Sequence, residues 1–352
     1  MFTNKTILVT GGTGSLGKVL VKRLLSGKHG TPKKIIIFSR DEGKQHQMRV
    51  DYQQKNNTTD EIIYNNFKQL LVFHIGNVRN YHSVCRALRG VDIVINAAAL
   101  KQVPTCEYFP FEGVQTNVMG VENIVQAISE HDFPVETVVG VSTDKACKPV
   151  NVMGMTKALQ ERIFINGNIR APKTRFICVR YGNVLASRGS VIPLFHEQIK
   201  NDGPVTVTTS DMTRFLLSLE DAVDTICAAI ESAKPGETYI PIPPAANIMD
   251  LAKVLIGDRN IKIETTGIRP GEKIHEIMIS EEEIWRTLKR GNFYAIQAIL
   301  PEIRDGECTN PIFTKEFSSG DNIMNTEELK NLLVKHKLLV NDNIRIEGDF
   351  LR

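Results

Sequence analysis

The sequence predicts an α/β fold, in which a doubly wound parallel sheet is joined to a smaller α/β domain. The first half of the chain alternates short apolar runs with amphipathic stretches, and a glycine-rich turn follows the first run. Such runs are typical of strands that are buried on both faces of a parallel sheet, with helices covering those faces. Six runs are predicted strands: Thr6–Val9, Lys34–Phe38, Leu70–His74, Val91–Ile95, Thr137–Val141 and Phe176–Val179. Four stretches are predicted helices: Leu16–Leu25, Ser83–Leu88, Gly113–Ser129 and Thr156–Asn166.

Composition and charge exclude several classes of protein. The 352 residues are 42% hydrophobic and 24% charged, which is ordinary for a globular chain. A net charge of +3 with evenly spread basic residues does not suit nucleic acid binding, and no apolar run approaches the roughly 20 residues of a membrane span. The N-terminus enters a strand at once, so no signal peptide is expected. The six cysteines form no C-x-x-C pair and the eight histidines no H-x-x-x-H pair, so we expect a cytoplasmic protein without a metal site.

The glycine-rich turn, LVTGGTGSLGKVL, lies between the first predicted strand and the first predicted helix. Glycines let a backbone approach a pyrophosphate closely, and the free amides and dipole of a helix N-terminus attract its charge. A purely structural turn can have the same composition, but the position between strand and helix favours a Rossmann-type dinucleotide site. Its predicted contacts are Gly11, Thr13, Gly14, Ser15, Leu16 and Gly17.

The end of the second strand indicates which dinucleotide is bound. An NAD site would place an acidic residue there to bind the ribose hydroxyls, whereas this chain has Ser39 and Arg40, with Lys44 one turn later. A hydroxyl and two cations suit a 2′-phosphate, so NADP is predicted. The alternative is a solvated strand end at which Arg40 pairs with Asp41.

Two further strand ends are predicted to complete the cofactor site. Asn77 and Val78 follow the third strand, where such folds contact adenine. Small residues follow the fourth strand and would let the backbone pass close to the nicotinamide ribose; they are Ala97, Ala98 and Ala99. Lys101, just beyond them, is either an active-site or a surface lysine.

The pattern changes after Tyr181, and this change predicts the domain boundaries. A loop, one helix and a strand are followed by a strand and helix that return to the first domain, and beyond Ala245 the elements are shorter. We predict an NADP-binding domain of residues 1–183 together with 214–243. Residues 184–213 and 244–352 would form a substrate-binding domain and C-terminal tail that close over the carboxyl edge of the sheet, where such sheets bind ligands.

The segment from Val141 to Arg162 has the spacing of a nucleotide-cofactor oxidoreductase. A strand ends in Ser-Thr, and Lys157 opens a helix some residues later. Such enzymes usually have a tyrosine four residues before the lysine, but Met153 occupies that position and a thioether cannot carry a proton. Either the chain has lost this chemistry, or Asp144 and Lys145 perform it.

Eight motifs occur in the order found in the extended short-chain dehydrogenase/reductases. They are TGGTGSLG, SRDEGKQ, AAALKQVP, STDKA, MGMTK, RYGNV with ASRGSVIPLF, DMTRF and RPGEK. Over roughly residues 3–280 the chain resembles, more narrowly, the inverting UDP-N-acetylglucosamine 4,6-dehydratases that have Met in place of the Tyr of Y-x-x-x-K. It departs from their pattern at Asn77, where Asp is usual, at Asn96, where His is frequent, and in the tail after Gly291, which is only weakly similar.

The resemblance implies an NADP-dependent reaction on UDP-N-acetylglucosamine. Oxidation at C4 makes the C5 hydrogen acidic, water is eliminated across C5–C6, the hydride returns to C6, and C5 is inverted. The implied product is UDP-2-acetamido-2,6-dideoxy-β-L-arabino-hexos-4-ulose. The resemblance also implies a homo-oligomer, a dimer or a hexamer.

The resemblance also assigns catalytic roles. Lys145 removes the C5 proton, Asp144 protonates the departing C6 hydroxyl, Thr143 lies near the C4 oxygen, and Lys157 binds the nicotinamide ribose. Met153 stands among the candidate catalytic residues by its position, although a helical Met is usually core filler. Without a phenol there, the C4 hydroxyl proton would pass to Asp144, Lys145 or a water. Burial, Lys157 and the nicotinamide are expected to lower the pKa of Lys145, whose ordinary value near 10.4 makes it a poor base.

Polar and basic residues of the second half are predicted to bind the nucleotide-sugar, because separated cations suit a dianionic diphosphate. The predicted substrate residues are Lys101, Asn183, Ser187, Arg188, Ser190, Thr213, Arg214, Arg269 and Glu272, with Lys273 beside them. Three other functions stay open: a dehydratase that retains the C5 configuration, a UDP-sugar 4-epimerase, and an NADP-binding regulatory protein without catalysis.

Overall fold

The computed structural model describes residues 1–53, 61–185, 190–304, 306 and 311–340. Its main sheet has nine strands in the order β14-β15-β10-β6-β5-β4-β1-β2-β3. All neighbouring pairs are parallel except β14–β15 and β15–β10, which are antiparallel and lie at one edge. The strands of this sheet are β1 (Thr6–Thr10), β2 (Lys34–Ser39), β3 (Leu71–Ile75), β4 (Ile93–Asn96), β5 (Thr137–Val141), β6 (Arg175–Val179), β10 (Thr238–Pro241), β14 (Thr287–Arg290) and β15 (Phe293–Ile296). The predicted fold class is therefore confirmed.

Helices cover both faces of this sheet, because alternate residues of each central strand are apolar and point to opposite sides. Ile7 and Val9 join one buried cluster and Leu8 joins the other. The helices of this part are α1 (Ser15–Leu25), α2 (Glu42–Gln53), α3 (Glu61–Leu70), α4 (Tyr81–Ala87), α5 (Val103–Tyr108), α6 (Pro110–Gly113), α7 (Gly120–His131), α8 (Val152–Arg170) and α10 (Leu219–Ser232). A π-helical segment, Val114–Met119, separates α6 from α7 where one continuous helix was predicted, and a 3₁₀ turn, Asp144–Ala146, follows β5.

The two buried clusters that cover the main sheet are together called the first core. The remaining elements pack around two further buried clusters, which together are called the second core. They form small sheets of β11-β9-β7, β12-β8 and β13-β16. These strands are β7 (Asn183–Val184), β8 (Val205–Val207), β9 (Thr213–Leu217), β11 (Ala245–Asn247), β12 (Ile263–Thr265), β13 (Ile277–Ile279) and β16 (Phe317–Ser318). The helices are α9 (Val191–Lys200), α11 (Ile248–Ile256), α12 (Glu281–Ile284) and α13 (Thr326–Lys335).

Helix α10 returns to the first core, where Arg23 of α1 pairs with Glu220 and Asp224. The exact domain division proposed from the sequence stays a prediction. Within the described ranges, no helix combines the length and apolar character needed to cross a membrane.

Candidate active site

The glycine-rich turn forms a tight cradle above β1 and β4. Gly11 has a φ of +67°, and a Cβ built on it would lie 2.8 Å from the backbone of Ala97 and Ala98. A Cβ on Gly17 would lie 2.5 Å from the Cα of Gly12, so only glycine fits at either position. Gly14 is the N-cap of α1, and no described side chain caps the amides of its first turn. Thr13, Ser15 and Leu16 belong to the same turn, which has the geometry of an anion site at a helix N-terminus.

The end of β2 carries the side chains that were predicted to read a 2′-phosphate. Ser39 is half-buried and accepts hydrogen bonds from Gln45 Nε2 at its carbonyl (3.0 Å) and its hydroxyl (3.1 Å). Arg40 is exposed. Lys44, rather than Arg40, pairs with Asp41, at 3.2 Å between two exposed side chains. Exposed pairs of this kind contribute little, so both cations remain accessible to a ligand.

The segments after β3 and β4 are fixed by side-chain hydrogen bonds. Asn77 Oδ1 accepts a bond from Arg79 N (3.1 Å), and the carbonyl of the buried Val78 accepts one from Asn123 Nδ2 (2.8 Å). Ala97, Ala98 and Ala99 are half-buried, and Thr10 Oγ1 accepts from Ala98 N (3.2 Å).

Asn117, in the π-helical segment, connects the β4 loop to α8 and was not identified from the sequence. It accepts from Leu100 N (2.8 Å) and donates to Leu100 O and to Thr156 Oγ1 (both 3.0 Å). Lys101 follows this fixed point and is exposed.

The first two turns of α8 contain Met153 and Lys157, and the Lys157 amine reaches the carboxyl end of β5. Asn151 caps the helix by accepting from Gly154 N (2.8 Å). Met153 is 5% exposed. The Lys157 amine is buried and donates to Val141 O (2.6 Å) and Gln160 Oε1 (2.7 Å). Burial lowers the pKa of Lys157 to about 8.

Asp144, Lys145 and Glu276 form a buried ion cluster just beyond β5, which we call the open cluster. Lys145 Nζ lies 3.0 Å from Asp144 Oδ1 and 2.9 Å from Glu276 Oε1. Thr143 Oγ1 donates to the same Asp144 oxygen at 2.9 Å. Asp144 Oδ2 and Glu276 Oε2 are both buried and meet no hydrogen-bond partner among the described residues. The sequence did not indicate Glu276.

The charges of the open cluster correct one expectation. Burial alone would lower the pKa of Lys145, but the negative charges of Asp144 and Glu276 outweigh it and raise that pKa. The expected lowering was therefore wrong for the ligand-free protein, because the second carboxylate was not foreseen. Burial raises the pKa of Asp144. Burial would also raise the pKa of Glu276, but Lys145 and Arg214 lower it.

The predicted substrate residues lie in different surroundings. Asn183 Oδ1 is 3.5 Å from Lys145 Nζ. Ser190, the N-cap of α9, has a buried hydroxyl without a hydrogen-bond partner among the described residues. The Thr213 hydroxyl is buried and bonded to His275 Nδ1 (2.8 Å) and Ser319 Oγ (2.7 Å). Ser187 and Arg188 lie outside the described residues.

Arg214 and the turn that contains Arg269 and Glu272 approach the open cluster from the second core. The largely buried Arg214 has its Nε 3.8 Å from Glu276 Oε1. Arg269 is exposed, and Glu272 N donates to its carbonyl at 3.1 Å. Two hydrogen bonds attach this turn to the segment between the 3₁₀ turn and α8: Asn151 Nδ2 donates to Gly271 O, and Lys273 Nζ donates to Cys147 O (both 2.7 Å).

A second buried ion cluster, of Arg180, Glu161 and Glu283, adjoins the first; we call it the closed cluster. Arg180 donates to both oxygens of Glu161 (3.1 and 2.6 Å) and of Glu283 (2.8 and 3.0 Å), and to Met278 O (2.7 Å). Ser142 Oγ donates to Glu161 at 2.5 Å. This cluster was also missed from the sequence, although a charged residue directly after the buried β6 could have indicated it.

Comparison with known proteins places this fold and site in a family. The family described as "Polysaccharide biosynthesis protein" matches residues 7–298. A protein named UDP-glucose 4-epimerase from Rickettsia bellii (strain RML369-C) is 43% identical over 346 residues, 95% of this chain and 96% of the relative. The X-ray structure of Pen from Bacillus thuringiensis covers 96% of this chain and 100% of its own, with 34% identity and a TM-score of 0.84.

A more distant structure shares the fold alone. DesIV, a dTDP-glucose 4,6-dehydratase from Streptomyces venezuelae, is 20% identical, with a TM-score of 0.63 over 76% of this chain and 86% of its own. The chain belongs to the polysaccharide biosynthesis family, and its fold is that of the short-chain dehydrogenase/reductase type of nucleotide-sugar epimerases and dehydratases.

Proposed function

We propose that the protein is an NADP-dependent dehydratase that removes water across C5–C6 of UDP-N-acetylglucosamine and inverts C5. The observation that supports this most directly is the open cluster, which places three ionisable side chains at the sheet edge, where this type of fold binds its ligands. The family membership and the relatives named for a UDP-sugar reaction support the substrate class. A dehydration needs more proton transfers than an epimerisation at C4, and this cluster offers more groups than the simpler reaction requires.

The cofactor would be held by the glycine cradle and by the ends of β2, β3 and β4. The cradle suits a pyrophosphate, because no described side chain caps the first-turn amides of α1, while a Cβ at Gly11 or Gly17 would clash with the backbone that forms the turn. Arg40 and Lys44 are exposed at and just after the end of β2 and would bind a 2′-phosphate, which supports the proposal of NADP rather than NAD. Lys157 would hold the ribose hydroxyls and so orient the ring. When bound, the nicotinamide accepts the C4 hydride and supplies it again at C6.

Asp144 would carry the proton from the C4 hydroxyl to the departing C6 hydroxyl. A buried carboxylate with a raised pKa accepts a proton more readily than an ordinary one, and it can then act as an acid. Its proton leaves with the C6 oxygen as water, so Asp144 ends the cycle ionised, as it began. This route needs no tyrosine, and Met153 would serve only to pack the start of α8.

Lys145 would take the C5 proton once C4 is a ketone and the hydrogen is acidic. Lys145 can take the proton only when its amine is neutral, and its raised pKa in the free protein disfavours the neutral form. The rate should therefore rise with pH. Lys101 or a bound water would return a proton on the opposite face of C5, and either donor gives inversion.

The nucleotide-sugar would bind between the two cores. Asn183 offers a polar group beside the open cluster, and Ser187, Arg188 and Ser190 belong to the same predicted set. Arg214, Arg269 and Glu272 would bind the diphosphate and ribose, since guanidinium groups pair with phosphate oxygens. Thr213 would then act by supporting its neighbours, because its hydroxyl already has two partners.

A UDP-sugar 4-epimerase is the second candidate, because the rickettsial relatives bear that name. An NMR experiment separates the candidates: the pure protein is incubated in deuterated water with NADP and, in parallel, UDP-N-acetylglucosamine or UDP-glucose. We expect a 4-keto-6-deoxy sugar of L-arabino configuration with deuterium at C5. A C4 epimer without C5 deuterium would identify an epimerase, a D-xylo product alone would identify a retaining dehydratase, and no turnover would favour a regulatory protein.

A further inference from the structure

We propose that Glu276 is a positioning residue for the reaction, which holds the Lys145 amine against Asp144 and controls how readily that amine gives up its proton. The inference rests on the proposed function for the role of Lys145. It adds a residue that lies far from Lys145 in the sequence and belongs to the second core.

Glu276 and Asp144 bind the Lys145 amine from different parts of the chain. Asp144 follows β5, and Glu276 directly precedes β13. The Asp144 and Glu276 side chains are 0% and 3% exposed, whereas Lys145 is 21% exposed. Lys145 is thus the most exposed member of the cluster, and Glu276 Oε1 contacts its amine at 2.9 Å. We therefore assign Glu276 a role that acts through Lys145 rather than on the sugar itself.

The backbone of Glu276 is fixed by Ser319, which lies beyond the residues matched by the family. Glu276 N donates to Ser319 Oγ (2.9 Å), and Ser319 N donates to Glu276 O (2.8 Å). The Ser319 hydroxyl is also shared with Thr213, whose own hydroxyl contacts His275. The C-terminal part of the chain thus holds the carboxylate at its distance from Lys145.

The pairing within the open cluster is too incomplete for a purely structural salt bridge. Glu276 Oε2 is buried without a hydrogen-bond partner among the described residues, although burying an unpaired polar oxygen is unfavourable. The charged groups facing the Lys145 amine are Asp144 and Glu276, which favour its protonated form, and Arg214 and Lys273, which oppose it. Loss of the Glu276 charge should shift this balance towards the neutral amine, which the proposed reaction needs.

The test is the pH dependence of kcat in Glu276→Gln, whose amide oxygen can still accept from Lys145 but carries no charge. Each kcat is divided by the plateau value that the same protein reaches at high pH. At the acidic end of the profile, this relative kcat should be about tenfold higher in the variant than in wild type, which corresponds to a pKa lower by about one unit, and KM should change little. Glu276→Asp should restore the wild-type profile in part, because it restores the charge. Glu264→Gln, which removes an exposed carboxylate from β12, is the matched control and should leave the profile unchanged. Superimposable profiles for wild type and Glu276→Gln would overturn the inference.

A titration independent of turnover separates this inference from the proposed function. Lysine amines are labelled by reductive ¹³C-methylation, and Lys145 is identified by its absence from the spectrum of Lys145→Arg. The midpoint of the Lys145 signal should move to lower pH in Glu276→Gln. A shifted midpoint without any turnover of UDP-sugars would refute the proposed function and keep the coupling, whereas an unshifted midpoint in an active enzyme would refute the coupling alone.

Discussion

Two clusters of buried charge lie side by side at the carboxyl ends of β5 and β6, and they differ in how completely their atoms are paired. In the closed cluster, Arg180 uses both oxygens of each of its two carboxylates and one carbonyl besides. In the open cluster, the lysine bonds one oxygen of each carboxylate, and the second oxygens lack hydrogen-bond partners among the described residues. The Arg180 side chain of the closed cluster is 3% exposed, and the Lys145 side chain of the open cluster is 21% exposed.

We infer that the difference separates a structural network from one that takes part in the proposed reaction. A buried network whose donors and acceptors are all satisfied fixes the fold around it, and breaking it leaves uncompensated charge. A network with unpaired oxygens is less stable than it could be, and such groups collect at sites that act on ligands. Changes in the open cluster should therefore alter chemistry first, whereas changes in the closed cluster should alter stability first.

The largest effect is expected from Lys145→Ala. Without the amine, C5–H exchange with deuterated water should fall about 10²–10⁴-fold, which is the range for loss of a general base. Lys173→Ala, which removes an exposed lysine paired with Asp132, is the control and should retain wild-type exchange. Exchange is followed by NMR at C5 of the sugar, and circular dichroism verifies that both variants are folded. Wild-type exchange in Lys145→Ala would remove the open cluster from the mechanism.

Arg180→Met tests the closed cluster. The substitution leaves Glu161 and Glu283 buried without their cation, and we expect a loss of about 3–5 kcal/mol in the free energy of unfolding. Arg170→Met is the matched control, because Arg170 pairs with Glu122 at the surface, where a pair contributes about 0–1 kcal/mol. Urea denaturation gives both values. Similar losses in the two variants would show that complete pairing does not make the closed cluster structural.

The pH dependence of the unfolding free energy tests the closed cluster in a second way. Burial would raise the pKa of Glu283, but Arg180 lowers it to about 2. The folded value lies below the ordinary 4.5, so this ionisation stabilises the protein fully above pH 4.5 and less as the pH falls towards 2. The difference in unfolding free energy between wild type and Glu283→Gln should decrease by about 3 kcal/mol over that interval. A difference that is constant with pH would contradict the pairing with Arg180.

The cations at the end of β2, where the cofactor is proposed to bind, are exposed to solvent. Because solvent screens exposed charges, substitutions there should change binding less than the buried substitutions change stability. Arg40→Ala should weaken NADP binding by about 1.5–3 kcal/mol, the range for a charge-assisted hydrogen bond, and should change NAD binding much less. Arg89→Ala removes an exposed arginine after α4 and serves as the control. Titration calorimetry of wild type and both variants with each dinucleotide measures the six binding constants. Equal weakening of NADP and NAD would show that Arg40 does not contact the 2′-phosphate.

The sequence predicted those parts of the site whose residues are close together in the chain. The glycine cradle lies within one strand-turn-helix unit, and Asp144 and Lys145 directly follow a buried strand, so local pattern was sufficient for both. Both predictions needed only the period of a strand or a helix and the direction of a parallel sheet. The helix of Lys157 was predicted to begin at Thr156, whereas α8 begins at Val152 and includes Met153.

The sequence did not predict the partners that arrive from distant segments. Glu276 was not identified, because nothing in its own polar stretch indicates burial, and its backbone is held by Ser319 of a distant segment. The error about the pKa of Lys145 follows from this omission, since desolvation was weighed without the second carboxylate. The break in the predicted helix Gly113–Ser129 was missed for a related reason: the π-helical Asn117 is held by Leu100 and Thr156, which belong to other elements.

The smallest effect is expected at Met153, which lies in the sequence between the Asp144–Lys145 pair and Lys157. The side chain is 5% exposed in the first turn of α8, and the proposed proton route from the C4 hydroxyl through Asp144 does not include it. Met153→Leu preserves volume and apolar character, so the free energy of unfolding should change by less than about 1.5 kcal/mol. Turnover should stay within about threefold of wild type, because leucine packs against the same neighbours and no proton passes through the sulfur. Steady-state rates and urea denaturation of the same preparation measure both quantities. If Met153→Leu were as inactive as Lys145→Ala while remaining stably folded, the thioether would have a role in the reaction, and the open cluster would not account for the missing tyrosine.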